Sequence, residues 1–299
     1  GSLAYVQGAF EQYFKTGPAA VVEAFFATIE RQLVEATTAV ATGTKLRLAS
    51  IAVGTRPRFI VLDLLRMLQL FCEGHNHGMQ LLLCVQPRLR REYNLLGASI
   101  GLAAALIPDV EALRGLENES MQLAELLVDF FVEAVQGPCM PNQQRLAESE
   151  APAVSKRVLL YAQESLAQRS KDKDPTHGLN QVLRLQQLTC SMFAGLMEGR
   201  ESIAVHAALH EKMDAGVFRG GVLAVHSLLP DLDSVVEAGR DIVDDDKREQ
   251  RKALLSAAND LFSLYYQIGS RNLALLKRIQ PSPDELGTAE GQKYDRAYE

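Results

Sequence analysis

Tryptophan is absent from the chain, and aromatic residues amount to only 6% of it. Proteins that hold single-stranded nucleic acid stack bases on aromatic side chains, so that class loses its usual platform. A basic excess is missing too. Lys and Arg number 31 against 37 Asp and Glu, a formal net charge of -6, whereas nucleic-acid binding draws on a basic face. No nucleic-acid partner is expected. Cysteine is scarce, and the four present (Cys72, Cys84, Cys139 and Cys190) are widely spaced within apolar stretches. They read as reduced, buried, cytosolic thiols rather than as a disulfide framework.

Long apolar runs are also lacking. The longest uncharged stretch, Tyr93 to Pro108, is 16 residues with two glycines inside it, short of the roughly 20 that a membrane span requires. It reads as a buried helix, and the chain is expected not to span a membrane. Nothing has the make-up of a signal peptide, and the leading Gly1-Ser2 reads as a cloning remnant, which predicts a piece cut from something larger. Convincing alternating strands, a Gly-rich phosphate loop and a G-x-S-x-G elbow are absent. No nucleophile set of Ser, His and Asp, or of Cys and His, emerges, so no enzymatic activity is expected.

What the chain has in abundance is helical period. At 47% hydrophobic and 23% charged it has the balance of a globular protein with a sizeable core. Pro18 stands where a helix begins, followed by Val22, Phe25, Phe26, Ile29 and Leu33 at spacings of three and four. Pro57 opens the next, with Ile60, Leu64, Met67, Leu68 and Phe71 on one face until Gly74 stops it. A third is predicted over about 89–107. The fourth carries Leu123, Leu126, Leu127, Phe130 and Ala134 and ends at Gly137-Pro138.

Further helices are expected over about 141–149, 153–169, 179–198 and 201–213, with two short ones over 217–240 broken near Pro230. A final helix over about 247–278 has Leu254, Ala258, Leu261, Tyr265 and Ile268 as its buried stripe. Ser170 to Pro175 reads as a linker, and the polar residues from Pro281 onward as a frayed tail. The expected fold is all-α, an armadillo-like stack of helical hairpins (an α-solenoid). The predicted divisions are an N-terminal helical flank over 1–56, a helical core over 57–169, a helical continuation over 176–280 and a disordered tail over 281–299.

Several places carry side chains that can ligate metal. His206 and His210 share a helical spacing, but Ala207 and Leu209 stand where a helical zinc motif needs glutamate. Two surface histidines are the plainer reading. Cys72, His75, His77 and Cys84 superficially offer four zinc ligands, yet both cysteines occupy core positions and the spacing fits no common zinc knuckle. No zinc is expected. The run Asp244 to Asp246 lacks the alternating ligands and central glycine of an EF-hand loop. It reads as a solvated helix start that favours the dipole. His177 and His226 have no evident partner.

Two strings carry more. In Leu70-Phe71-Cys72-Glu73-Gly74-His75-Asn76 and in Val132-Glu133-Ala134-Val135-Gln136-Gly137-Pro138-Cys139, a glutamate falls at the end of an apolar helix, just before a glycine. A helix C-terminus leaves carbonyls unpaired and carries partial negative charge. A carboxylate there is unfavourable unless a cation offsets it. Glu133 and Gln136 share a helix face, and Gly74 frees the chain to turn so that Glu73 and His75 need not point apart. Two such ends brought together would suit a hard cation that binds oxygen, such as Ca2+. Solvated glutamates are the plainer alternative.

The run from Leu64 to Asn76 resembles the "LLRFLQLLCE-x-HN" helix of the intracellular calcium-release channels. Gln136-Gly137-Pro138-Cys139-x-x-Asn142-Gln143 resembles their "QGPC-x-x-NQ" turn. These are the inositol trisphosphate and ryanodine receptors, and the shared region is their RIH-associated domain. The resemblance is strong over about 57–160 and weaker from Leu185 to Glu198. Glu73 to Asn76 and Asn142 to Ala147 look like the ryanodine branch, Tyr93-Asn94-Leu95 like the inositol trisphosphate branch.

The resemblance implies that Glu73 and Glu133 form half of an activating Ca2+ site, with His75 and Gln136 as nearby polar groups. A C-terminal cytosolic domain of the parent channel would complete it, so Ca2+ binding by this chain alone is expected to be weak or absent. It further implies a homotetrameric parent on an endoplasmic-reticulum-type store membrane, with this region on the cytosolic face relaying ligand binding to the pore. Inositol trisphosphate itself is expected to bind elsewhere. The competing expectation is a helical scaffold that binds protein partners without ion dependence.

Overall fold

A computed structural model describes residues 2–43, 61–169, 178–199, 203–213, 216–225, 228 and 245–269. The expectations for Pro57 and Ile60, the linker at 170–175, His177, His226, the break near Pro230 and the tail lie outside those residues. So do the side chains of His206, His210 and the Asp244 to Asp246 run. Among the described residues every regular element is a helix, stacked in armadillo-like fashion. They are α1 (Ser2–Thr16), α2 (Ala19–Ala41), α3 (Val61–Cys72), α4 (His77–Leu82), α5 (Leu95–Leu106), α6 (Val110–Arg114), α7 (Asn118–Val135) and α8 (Met140–Glu148), then α9 (Ala151–Arg169), α10 (Leu179–Met197), α11 (Ile203–Lys212), α12 (216–225) and α13 (Asp245–Gly269).

The chain divides into two compact units. The first comprises Gly1–Val154 with Gly195–Val205. In it α2 packs on α5, α3 on α7, and α5 and α7 on each other, while the short α4 and α8 fill between. Phe130 and Phe131 of α7, Leu64, Leu65 and Leu68 of α3, and Leu95 of α5 are all fully buried. Each such side chain stabilises the fold by about 1.5–3 kcal/mol.

Phe71, in the last turn of α3, is held by a cluster of rings. Its centroid lies 5.0 Å from Phe10 and 6.1 Å from Phe14 of α1, and Phe14 lies 5.2 Å from Phe26 of α2. The end of α3 is thereby fixed by two helices of the N-terminal flank.

The third predicted helix starts later than expected, at Leu95 rather than near 89. Gln86 accounts for the difference. Its amide donates to the carbonyls of Leu82 and Tyr93 and accepts from the Tyr93 N–H at 2.7 Å, tying residues 83–94 into a loop. Asn94 then caps α5 by accepting from the Gly97 N–H. All four cysteines are buried and free, as predicted. No described helix is long and apolar enough to cross a membrane.

The second unit comprises Ser155–Ala194 with His206–Glu299. Its core gathers Ala162 and Leu166 of α9, Leu179, Val182 and Leu183 of α10, Ala224 and Val225 of α12, and Leu254 and Ala257 of α13. Leu254, Leu261, Tyr265 and Ile268 of the predicted stripe are buried, while Ala258 is only partly so and its neighbour Ala257 is fully buried. Gln186 donates to the Ala257 carbonyl at 3.1 Å inside this core.

Candidate cation site at two helix ends

Helix α3 runs into Glu73, whose N–H still donates to the Gln69 carbonyl. The chain then reverses through Gly74 at φ +73° and His75 at φ +62°. Two successive left-handed residues make an abrupt exit, and the second is unfavourable for a residue with a Cβ. Asn76 follows and accepts from the Met79 N–H, so the asparagine of the string is the cap of α4. Helix α7 ends alike, with Gly137 at φ +77°.

The two exits touch. A Cβ on Gly137 would lie 2.5 Å from the Cβ of His75, so His75 packs directly on the Gly137 backbone. The structure therefore brings together the two strings that the sequence sets far apart.

Above the exits, α3 and α7 face each other across a polar strip. The Arg66 guanidinium donates to Gln69 Oε1, and Gln69 Nε2 donates to Asp129 Oδ2 at 3.3 Å. One turn on from Asp129 stands Glu133, half-buried. Its carboxyl pKa is raised, first by burial, then by the negative charges of Asp129 and Glu73; His75 and Arg66 oppose the rise. Glu133 Oε2 is shielded from solvent and accepts no hydrogen bond among the described residues. A shielded carboxylate oxygen with no donor among the described residues, under the charges of two further carboxylates and at the negative end of a helix, is a place where negative charge is unfavourable and only partly offset by His75 and Arg66.

Backbone carbonyls at both exits are satisfied by buried amides that sequence reasoning did not single out. Gln7 Nε2 donates to the carbonyls of Leu70 (2.8 Å) and Glu73 (2.7 Å). Gln80 Nε2 donates to those of Glu133 (2.7 Å) and Gln136 (2.8 Å). Asn142 Nδ2 donates to the carbonyls of Gln80 and Ala134 at 2.9 and 3.0 Å, locking α4, α7 and α8 together.

Thiols lie close by. Burial, then Glu133, Cys139 and Cys84, hold the Cys72 thiol well above its ordinary pKa, and Cys84 is pushed up to about 11. Among the described residues, no three His, Cys, Asp or Glu side chains gather into a group that could hold a metal ion. What the exits provide is a pair of glutamates, with Glu73 part-exposed, His75 exposed and Gln136 part-exposed beside Glu133.

Residues 56–159 match the family described as RyR and IP3R Homology associated. The chain contains an RIH-associated domain. That match spans α3 to α8 and about the first half of α9, including both exits. Gln7 of α1, which holds the Glu73 carbonyl, lies outside it.

Proposed function

We propose that this chain is a cytosolic regulatory region of an intracellular, ligand-gated calcium-release channel, in which Glu73 and Glu133 supply half of an activating Ca2+ site. The observation that carries the reading is the Glu133 carboxylate. One of its oxygens is buried and accepts no hydrogen bond among the described residues, and the charges of Glu73 and Asp129 bear on it. A divalent cation at this place would convert that unfavourable charge into ligation.

Ca2+ takes six to eight oxygens at about 2.3–2.6 Å. Two carboxylates with Gln136 nearby fall short of that number, so the remaining ligands come from another domain of the parent channel, its C-terminal cytosolic domain. Shared in this way, the ion favours whichever arrangement brings both halves together. Calcium concentration is thus read as attachment between domains, which is how the region relays a signal to the pore. The parent is a homotetramer in a store membrane of endoplasmic-reticulum type, with this region on the cytosolic face.

The test is calcium activation of the parent channel bearing Glu73→Gln or Glu133→Gln. Both substitutions keep side-chain size and remove charge. Each should move activation to higher Ca2+ while the folded helical content stays unchanged. Normal calcium activation in both variants would refute the sensor assignment and leave the ion-independent scaffold.

A further inference from the structure

The device that holds the two exits recurs a third time in the first unit. Gln143 Nε2 donates to the carbonyls of Gly195 (2.7 Å) and Glu198 (2.9 Å) at the end of α10. Gln7, Gln80 and Gln143 thus clamp the carbonyl pairs of residues 70 and 73, 133 and 136, and 195 and 198. Each pair is spaced by three residues, and each is followed by a left-handed glycine: Gly74, Gly137 and Gly199, with φ of +73°, +77° and +63°.

The exits also stack on one another. His75 packs on Gly137, and Pro138 stands where a Cβ on Gly199 would lie 2.7 Å away. The N–H of Gly137 donates to Glu198 Oε2 at 3.0 Å. The 136–137 peptide is therefore held on both sides, its carbonyl by Gln80 and its N–H by Glu198.

We propose that Gln7 and Gln80 are positioning residues for the cation half-site, an inference that rests on the calcium reading above. Three facts carry it. All three clamping glutamines are buried, Gln7 at 4% exposure and Gln80 and Gln143 at 0%. Their orientation is fixed by chemistry: only the NH2 edge of an amide can face two carbonyls, and Oε1 of Gln80 and of Gln143 has no partner among the described residues.

Third, the clamped carbonyls are those of Glu73, Glu133 and Gln136, the residues nominated to meet the ion. With these backbone oxygens engaged by amide donors, the half-site presents side-chain carboxylates instead. The clamps hold each helix end while its glutamate carries charge there, so the two carboxylates meet the ion from fixed backbones. Gln143 performs the same structural work at an exit that bears neither nominated glutamate and reaches the α7 exit only through the Glu198 side chain, so it serves as the comparison from which a much smaller effect is expected.

The experiment uses this full chain and Tb3+ as an oxygen-seeking stand-in for Ca2+, followed by its luminescence. Gln80→Met and Gln7→Met remove the amide at nearly constant volume and should each weaken Tb3+ uptake about tenfold. Gln143→Met should leave uptake within about twofold of wild type. Backbone 15N order parameters give a second readout that needs no ion: Gln7→Met should loosen Gly74, Gln80→Met Gly137, and Gln143→Met Gly199, each locally. Should Gln80→Met not fold, Gln7→Met on α1 tests the same claim.

Equal weakening by all three variants would mean general destabilisation and would overturn the positioning role, as would wild-type uptake in both Gln80→Met and Gln7→Met. The calcium reading fails differently. In that case Glu73→Gln and Glu133→Gln leave Tb3+ uptake unchanged. Should this half-site alone take up none, calcium activation of the parent channel decides: Gln7→Met and Gln80→Met should shift activation to higher Ca2+, and unchanged activation in both would overturn the positioning role.

Discussion

His75 and Gly137 lie in direct contact: a Cβ on the glycine would come within 2.5 Å of the histidine Cβ and 2.7 Å of its ring. Both residues have positive φ. That contact joins the end of α3 to the end of α7, and it leaves no room for any side chain at 137. Gly74 differs, because a Cβ there would meet nothing within 4 Å.

The two glycines should therefore respond unequally to alanine. Gly74→Ala meets only the left-handed backbone penalty, about 1–2 kcal/mol. Gly137→Ala meets that penalty and a clash with His75, and is expected to cost about 3 kcal/mol or more in all. Urea unfolding of the two variants checks this. Equal losses would mean that the exits are not packed as described.

The raised pKa of Glu133 gives a pH dependence with a definite sign. Its folded-state value lies above its unfolded one, so its favourable contribution is fully present below the unfolded pKa. That contribution is lost as pH rises through the folded value. The groups acting on Glu133 are Asp129 and Glu73, which raise the value, and His75 and Arg66, which lower it. Without added cations, Glu133→Gln, which mimics the protonated acid, should be more stable than wild type at pH 7. The difference should shrink as pH falls toward the ordinary glutamate range near 4.3. Denaturation midpoints at several pH values decide it, and a constant offset would remove Glu133 as the titrating group.

Much of this architecture is written in the helical period and in the Gly and Pro stops. Gly74 and Gly137-Pro138 mark the ends of α3 and α7, and Pro18 marks the start of α2, because each acts through its own backbone. Where tertiary bonds set the boundary, local pattern misleads. The composition before Asn94 permits helix, but the Gln86 amide claims the backbone around Tyr93. Helix α4 has only six residues, too few for periodicity to register. The clamps were illegible for a different reason: glutamine in an apolar run looks like a surface position, and its partners lie 52 to 66 residues away. The only signal was Gln143 itself, a letter of the "QGPC-x-x-NQ" resemblance that had no assigned role.

The buried thiols make a chemical prediction. Cys72 and Cys139 are 0% exposed, Cys84 2% and Cys190 5%, and burial raises the pKa of every one. The thiolate is the reacting species, so native protein should release almost no chromophore from a disulfide thiol reagent within minutes. All four cysteines should react after denaturation. A thiol that reacts at the rate of a free cysteine in the native protein would contradict the packing around α3, α4 and α7, or around α10 where the thiol is Cys190.

Asn76 offers the sharpest separation of structural from site chemistry within the first string. Its side chain accepts from the Met79 N–H at 3.1 Å, while its backbone carbonyl accepts from the Gln80 N–H at 2.9 Å. The capping bond needs an acceptor only, and aspartate supplies one as well as asparagine does. Asn76→Ala should cost about 1 kcal/mol, within the range for losing such a cap. Asn76→Asp should restore that stability, since a negative charge at the N-terminal end of α4 also suits the helix dipole. Because α4 carries Gln80, the alanine variant should also raise amide exchange at Gln136 and Gly137, and the aspartate variant should not. If Asn76→Asp is as destabilised as Asn76→Ala, the side chain is serving something other than the cap.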